Sequence, residues 1–105
     1  MMIRIYNKLV RDRIPEIIEK TGKSCTVEIL GDGEYLKAID AKLDEELAEY
    51  HKDQSLEELA DMLEVIYAAA AARGYSTEEL EQLRVKKLEE RGGFTDRIFL
   101  KEVRE

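Results

Sequence analysis

The sequence predicts a mainly α chain: an antiparallel helical bundle of three long helices and a short N-terminal helix, with a minor two-stranded β element. Three observations predict it. Apolar residues recur at spacings of three and four through most of the chain, the mark of one-sided helices. Serines stand where such helices would begin, and glycines where they would end. The 105 residues include one Pro and six Gly, with 44% hydrophobic and 39% charged residues, which is the balance of a helix-rich globular chain. Neither a disordered tail nor a sandwich of many turns has that composition. The length allows one core, so residues 1–105 are expected to form a single domain.

Residues 1–10 alternate loosely and suit a short strand or an arm. Ile14, Ile17 and Ile18 then follow at helical spacing around Pro15, a residue favoured in a first helical turn, and Thr21-Gly22 ends this short helix. Residues 25–30 read C-T-V-E-I-L with Val27 and Ile29 on one face, a strand signal closed by Gly31-Asp32-Gly33. From Glu34 to about Lys52, the stripe Leu36, Ile39, Leu43, Leu47 and Tyr50 defines the first long helix. The second starts at the capping Ser55, runs through Leu56, Leu59, Leu63, Ile66 and Tyr67 to Arg73, and stops before Gly74. Its alanines, Ala68 to Ala72, combine high helix propensity with a thin face that a neighbouring helix can approach. Ser76-Thr77-Glu78-Glu79 has the form of a capping box and opens the third, which continues through Leu80, Leu83 and Leu88 to Arg91 and stops at Gly92-Gly93. The tail carries R-I-F-L-K-E-V over residues 97–103, a strand-like segment expected to pair with residues 25–30.

Charge limits the partners. With 17 basic and 24 acidic residues the net charge is −7, which disfavours polymeric nucleic acid but leaves room for a small phosphorylated ligand held through a cation. The uncharged stretch from Val65 to Ala72 falls well short of the roughly 20 apolar residues of a spanning helix, so no membrane is expected. The lone Cys25 cannot close an intramolecular disulfide and no charged-then-apolar leader opens the chain, so the expected compartment is the cytoplasm.

Carboxylates crowd the junction of the first two long helices. Glu45, Glu46 and Glu49 form E-E-x-x-E near the end of one, and Glu58 and Asp61 form E-x-x-D in the first turns of the next. Residues three apart share a helix side, so Glu46 with Glu49, and Glu58 with Asp61, each make a two-carboxylate ledge. A short connection favours an antiparallel pair, with Glu49 near Glu58 and Glu46 near Asp61. Four like charges brought together survive through raised pKa values or through a divalent cation. All-oxygen ligation suits Mg²⁺, or Mn²⁺ in its place, and points to phosphate-ester or anhydride chemistry.

Plainer roles compete for the same residues. Ser55 and Glu58 have capping-box spacing, and Glu45, Glu46 and Glu49 beside Lys42 and Lys52 also read as a solvated helix face. Asp61 lies between Leu59 and Leu63 in a largely apolar helix, where an unpaired carboxylate is costly. Candidate cations for a phosphate are Lys8, Arg11 and Arg13 before the first helix and Lys86, Lys87 and Arg91 along the third. His51 suits the negative end of a helix better than a general base, and Cys25 has no partner for nucleophilic chemistry. Tyr35, Tyr50, Tyr67 and Phe94 read as core or interface aromatics.

The combination of Glu45-Glu46-Leu47-Ala48-Glu49 with Glu58-Leu59-Ala60-Asp61 resembles the all-α nucleoside triphosphate pyrophosphatase superfamily, often called MazG-like. The opening Y-N-K-L-V-R-D-R-I-P-E-I-I, residues 6–18, and K-K-L-E-E-R-G-G-F, residues 86–94, are similar to its short house-cleaning subfamily related to phosphoribosyl-ATP pyrophosphohydrolase. With both ends the resemblance spans nearly the whole chain.

The resemblance implies Mg²⁺-dependent hydrolysis of a canonical or damaged nucleoside triphosphate between the α and β phosphates, giving monophosphate and pyrophosphate. It implies metal ligation by Glu46, Glu49, Glu58 and Asp61, with Glu45 orienting or activating the water, so that Glu45 and Glu46 are the catalytic pair. Lys8, Arg11, Lys87 and Arg91 are the expected triphosphate contacts, because charge-assisted bonds must offset the phosphate charge. The eight residues between Glu49 and Glu58 leave little room for a base-recognising loop. Superfamily members assemble as dimers or tetramers, and a thin chain with an alanine-rich face fits a homodimer or homotetramer that completes the bundle. A phosphoribosyl-ATP pyrophosphatase and a non-enzymatic helical interaction module are the alternatives.

Overall fold

The computed structural model describes residues 2–105; Met1, the first residue of the expected strand or arm, lies outside them. The described residues form four helices: α1 (Ile14–Lys20), α2 (Asp32–Asp53), α3 (Leu56–Ala72) and α4 (Thr77–Arg91). Local signals account for their limits. Pro15 sits in the first turn of α1, and the chain leaves that helix at Gly22 with φ +87°. Asp32 and Glu34 complement the positive end of α2, and His51 and Lys52 its negative end. Gln54 then turns into the left-handed region at φ 53° and donates its backbone N–H to the Tyr50 carbonyl at 2.6 Å. Ser55 Oγ accepts the Glu58 amide at 3.2 Å to cap α3, and Ser76 Oγ accepts the Glu79 amide at 3.0 Å to cap α4.

Only Gln54 and Ser55 separate α2 from α3, so the two helices fold back on each other. Their antiparallel register shows in the side-chain pairs. Arg73, just past the end of α3, donates to Asp40 early in α2 at 3.3 Å, whereas the start of α3 meets the end of α2. Ile39 on α2 and Val65 on α3 are the buried apolar residues of this hairpin. The α3 face that carries Val65 also carries Glu58, Asp61 and Met62, all half-buried, so acids and core share one stripe.

The expectation is a bundle completed by oligomerisation; in the single chain α4 makes a small contact with α3 and none with α2. The radius of gyration is accordingly 18.5 Å, against about 13 Å for a compact chain of this size. One expectation needs correction, the two-stranded β element, which is absent among the described residues; neither residues 25–30 nor 97–103 form a strand. A strand exists only when a ladder partner supplies its hydrogen bonds, and no backbone hydrogen bond joins these two segments. Their β-branched and aromatic side chains therefore stand in solvent, with Ile29 at 92% and Phe99 at 84% exposure. Half-buried Cys25 turns its Sγ toward the Pro15 carbonyl at 4.0 Å instead of taking a place in a strand. Among the described residues, no helix is long and apolar enough to cross a membrane.

Candidate functional site

The acids converge where α2 ends and α3 begins. One carboxylate oxygen from each of Glu46, Glu58 and Asp61 lies within 4.8 Å of the others, and Glu49, Asp53 and Glu58 make a second such trio. Glu58 belongs to both, but Glu49 is outside the trio of Glu46, Glu58 and Asp61, so the four expected acids fall into two overlapping groups instead of one. The Ser55 hydroxyl takes the Glu58 backbone amide and leaves the Glu58 carboxylate facing the other acids, so half of the capping box operates.

The donor set fits a hard divalent cation. Oxygens ligating one such ion at about 2.0–2.6 Å are separated by at most about 5 Å. The Glu46, Glu58 and Asp61 oxygens already meet that limit.

Three cations face these acids. Lys42, one turn before the first motif on α2, reaches Glu45 at 3.2 Å and Glu46 at 3.4 Å, with side-chain exposures of 14% for Lys42 and 12% for Glu46. Lys8 Nζ donates to Glu45 Oε1 at 2.9 Å, and Arg11 Nη2 donates to Asp61 Oδ1 at 2.6 Å. From the sequence alone Lys42 reads as part of a solvated helix face. A signal for it exists: counting in threes and fours from Ile39, Lys42 and Glu46 occupy stripe positions that Leu43 shares. A lysine and a glutamate placed there are held against the facing helix. Asp53, the last residue of α2, lies between the two motifs and belongs to neither, so the motifs give no signal for it.

These contacts shift the ionisation of the groups. Burial pushes the Glu45 carboxyl up, but hydrogen bonds from Lys8 and Lys42 outweigh it and leave Glu45 below the usual range. The Glu45 hydrogen bond raises Lys8. Glu58 moves the other way: lost solvation, and then the charges of Asp61, Asp53, Glu49 and Glu46, raise it above an ordinary glutamate. The surroundings thus favour the ionised form of Glu45 and the protonated form of Glu58.

The remaining expected contacts lie apart. Lys87 and Arg91 are exposed on α4 and form no ion pair or hydrogen bond with the acids. Arg13 pairs with Glu16 of its own helix at 3.5 Å, away from the cluster. His51 is exposed in the last turn of α2, its ring 6.1 Å from that of Tyr50.

No protein-family model matches the chain, and no solved structure matches it. The chain is similar to an uncharacterized protein of Mycolicibacterium smegmatis (strain ATCC 700084 / mc(2)155), 57% identical over 42 residues, which is 40% of this chain and 43% of that protein. The matched segment thus spans less than half of the relative's length.

Proposed function

We propose that the chain is a nucleoside triphosphate pyrophosphohydrolase of the MazG-like kind, dependent on Mg²⁺ or Mn²⁺, that clears canonical or damaged nucleotides in the cytoplasm. The observation that carries this reading is the convergence of Glu46, Glu58 and Asp61 within 4.8 Å, beside a separate carboxylate, Glu45, that two lysines keep ionised. Glu46, Glu49, Glu58 and Asp61 would hold the cation, which, when bound, polarises phosphoryl oxygens and gathers the phosphates. Glu45 accepts a proton from the water that attacks the α phosphorus, and the bond to the β phosphate breaks to release pyrophosphate. Lys42 keeps Glu45 and Glu46 in place from the same helix. Lys8 and Arg11 supply positive charge for the triphosphate, with Lys87 and Arg91 reaching it only if assembly brings an α4 to the cluster.

Such assembly belongs to the reading. Leu56, Leu59, Leu63 and Ile66 form an exposed stripe on α3 at spacings of three and four. A homodimer or homotetramer would cover it and complete the bundle. That stripe is also what favours the second reading, a non-enzymatic helical module whose acids serve solubility.

Pyrophosphate release from a panel of canonical and damaged ribo- and deoxyribonucleoside triphosphates, with phosphoribosyl-ATP included, tests the proposal. Wild type with Mg²⁺ or Mn²⁺ should release pyrophosphate, and Asp61→Ala should fall to background while keeping its helical signal and melting profile. Release from phosphoribosyl-ATP alone would assign the histidine-pathway substrate. Equal rates in Asp61→Ala, or none from any substrate with folded wild type, would defeat the hydrolase.

A further inference from the structure

We infer that the N-terminal arm is a tethered counter-ion of the acid cluster: Lys8 and Arg11 occupy Glu45 and Asp61 in the metal-free protein, and a divalent cation enters by displacing them. The inference rests on the metal-binding reading above and concerns how that same site is controlled.

The two ion pairs cross 37 and 50 residues of sequence, joining the arm to α2 and to α3 at their common end. Arg11 engages Asp61, a member of the trio that fits a cation, while Lys8 engages Glu45, the acid assigned to the water. Together the arm brings two positive charges, the same formal charge as one divalent ion. A cation seated among Glu46, Glu58 and Asp61 would repel a guanidinium held at 2.6 Å from Asp61, so both cannot keep their places.

The arm is built to let go. Residues 2–10 form no helix or strand, and Ile3, Ile5 and Tyr6 are exposed, so little apolar burial anchors the segment beyond half-buried Leu9. Lys8 and Arg11 are themselves 42% and 57% exposed, the regime in which ion pairs are weak and exchangeable. Lys42 is the contrasting case, because it belongs to α2 and its exposure is 14%. The cluster therefore has one built-in cation and two releasable ones. Once displaced, Lys8 and Arg11 remain tethered next to the metal, free to meet the phosphates that follow it.

The test measures Mn²⁺ binding to the full chain by electron paramagnetic resonance for wild type, Arg11→Gln, Lys8→Gln/Arg11→Gln and Arg13→Gln. Alongside it, trypsin cleavage after Lys8 and Arg11 is followed with and without Mn²⁺, taking cleavage after the exposed Lys101 and Arg104 as internal reference. Arg11→Gln should bind Mn²⁺ up to about fivefold more tightly, the double variant more tightly still, and Arg13→Gln within twofold of wild type, because exposed ion pairs are worth about that much. Saturating Mn²⁺ should speed cleavage at the arm relative to the tail. Unchanged or weaker Mn²⁺ binding in Arg11→Gln, or equal tightening in Arg13→Gln, would overturn the displacement while leaving the metal site standing. No Mn²⁺ binding by wild type or any variant would instead remove the metal reading itself.

Discussion

The two ends of the α2–α3 hairpin occupy equivalent positions on the same helix faces and fill them with opposite chemistry. At the open end, Ile39 and Val65 close the gap between the helices, and the Asp40–Arg73 pair lies exposed at its margin. Toward the connection the stripes continue, but their occupants are Glu46, Glu58 and Asp61. An apolar pair stabilises a hairpin by leaving water, whereas a group of like carboxylates is held together against its own repulsion. If, as proposed, the acids near the connection bind a cation while the apolar pair holds the fold, substitutions in the two regions should separate stability from ligand response.

The largest expected effect lies at the open end. Ile39 is 2% exposed, and Ile39→Ala should lower unfolding stability by about 2–5 kcal/mol, read as a fall in the urea midpoint. Asp61→Ala at the other end should leave that midpoint close to wild type. A similar loss of stability from both substitutions would mean that the acids are structural, and the contrast between the two ends would fail.

Metal gives the next effect, and it should act through one end alone. Mg²⁺ or Mn²⁺ at a hundred times its dissociation constant should stabilise wild type by about 2.7 kcal/mol, seen as a higher melting temperature. Ile39→Ala should retain that increment on its lower baseline, because its site is intact. Asp61→Ala should lose it. A shift of equal size in Asp61→Ala would place the ion elsewhere on this acidic chain.

The features legible in the sequence were those settled by near neighbours. Ser55 and Ser76 cap the helices that their positions announced, and Gly22, Gly74 and Gly92 all take positive φ at helix ends. The meeting of Glu46 with Asp61 and of Glu49 with Glu58 followed from spacings of three and a short connection, both local properties. Non-local features were not legible. The expected strand in residues 25–30 needed a partner more than 60 residues away, and β propensity in each segment says nothing about whether they meet. The docking of Lys8 on Glu45 and of Arg11 on Asp61 is of the same kind, since charge gave candidates but not partners. Lys42 was discounted for a different reason: its i,i+3 and i,i+4 pairs look like ordinary surface pairs until the facing helix covers them.

The smallest effect is the most discriminating, because its sign rather than its size carries the answer. Glu58 stands in the first turn of α3, where a negative charge favours the helix dipole, and also among four other carboxylates, where it is opposed. Its pKa is raised, first by lost solvation and then by those four charges, so the folded chain disfavours the ionised form. A group whose folded pKa lies above its unfolded value contributes stability below the unfolded pKa and loses that contribution as pH rises through the folded one. Glu58→Gln should therefore melt slightly higher than wild type at neutral pH without metal, and the gap should close as pH falls through the acid range and wild-type Glu58 takes up its proton. Adding Mn²⁺ should reverse the order, because the cation relieves the same repulsion in wild type and finds one carboxylate fewer in the variant. A Glu58→Gln protein that melts lower at neutral pH, with no reversal by Mn²⁺, would show that the carboxylate serves the helix start, and the connection end of the hairpin would then be structural like the other.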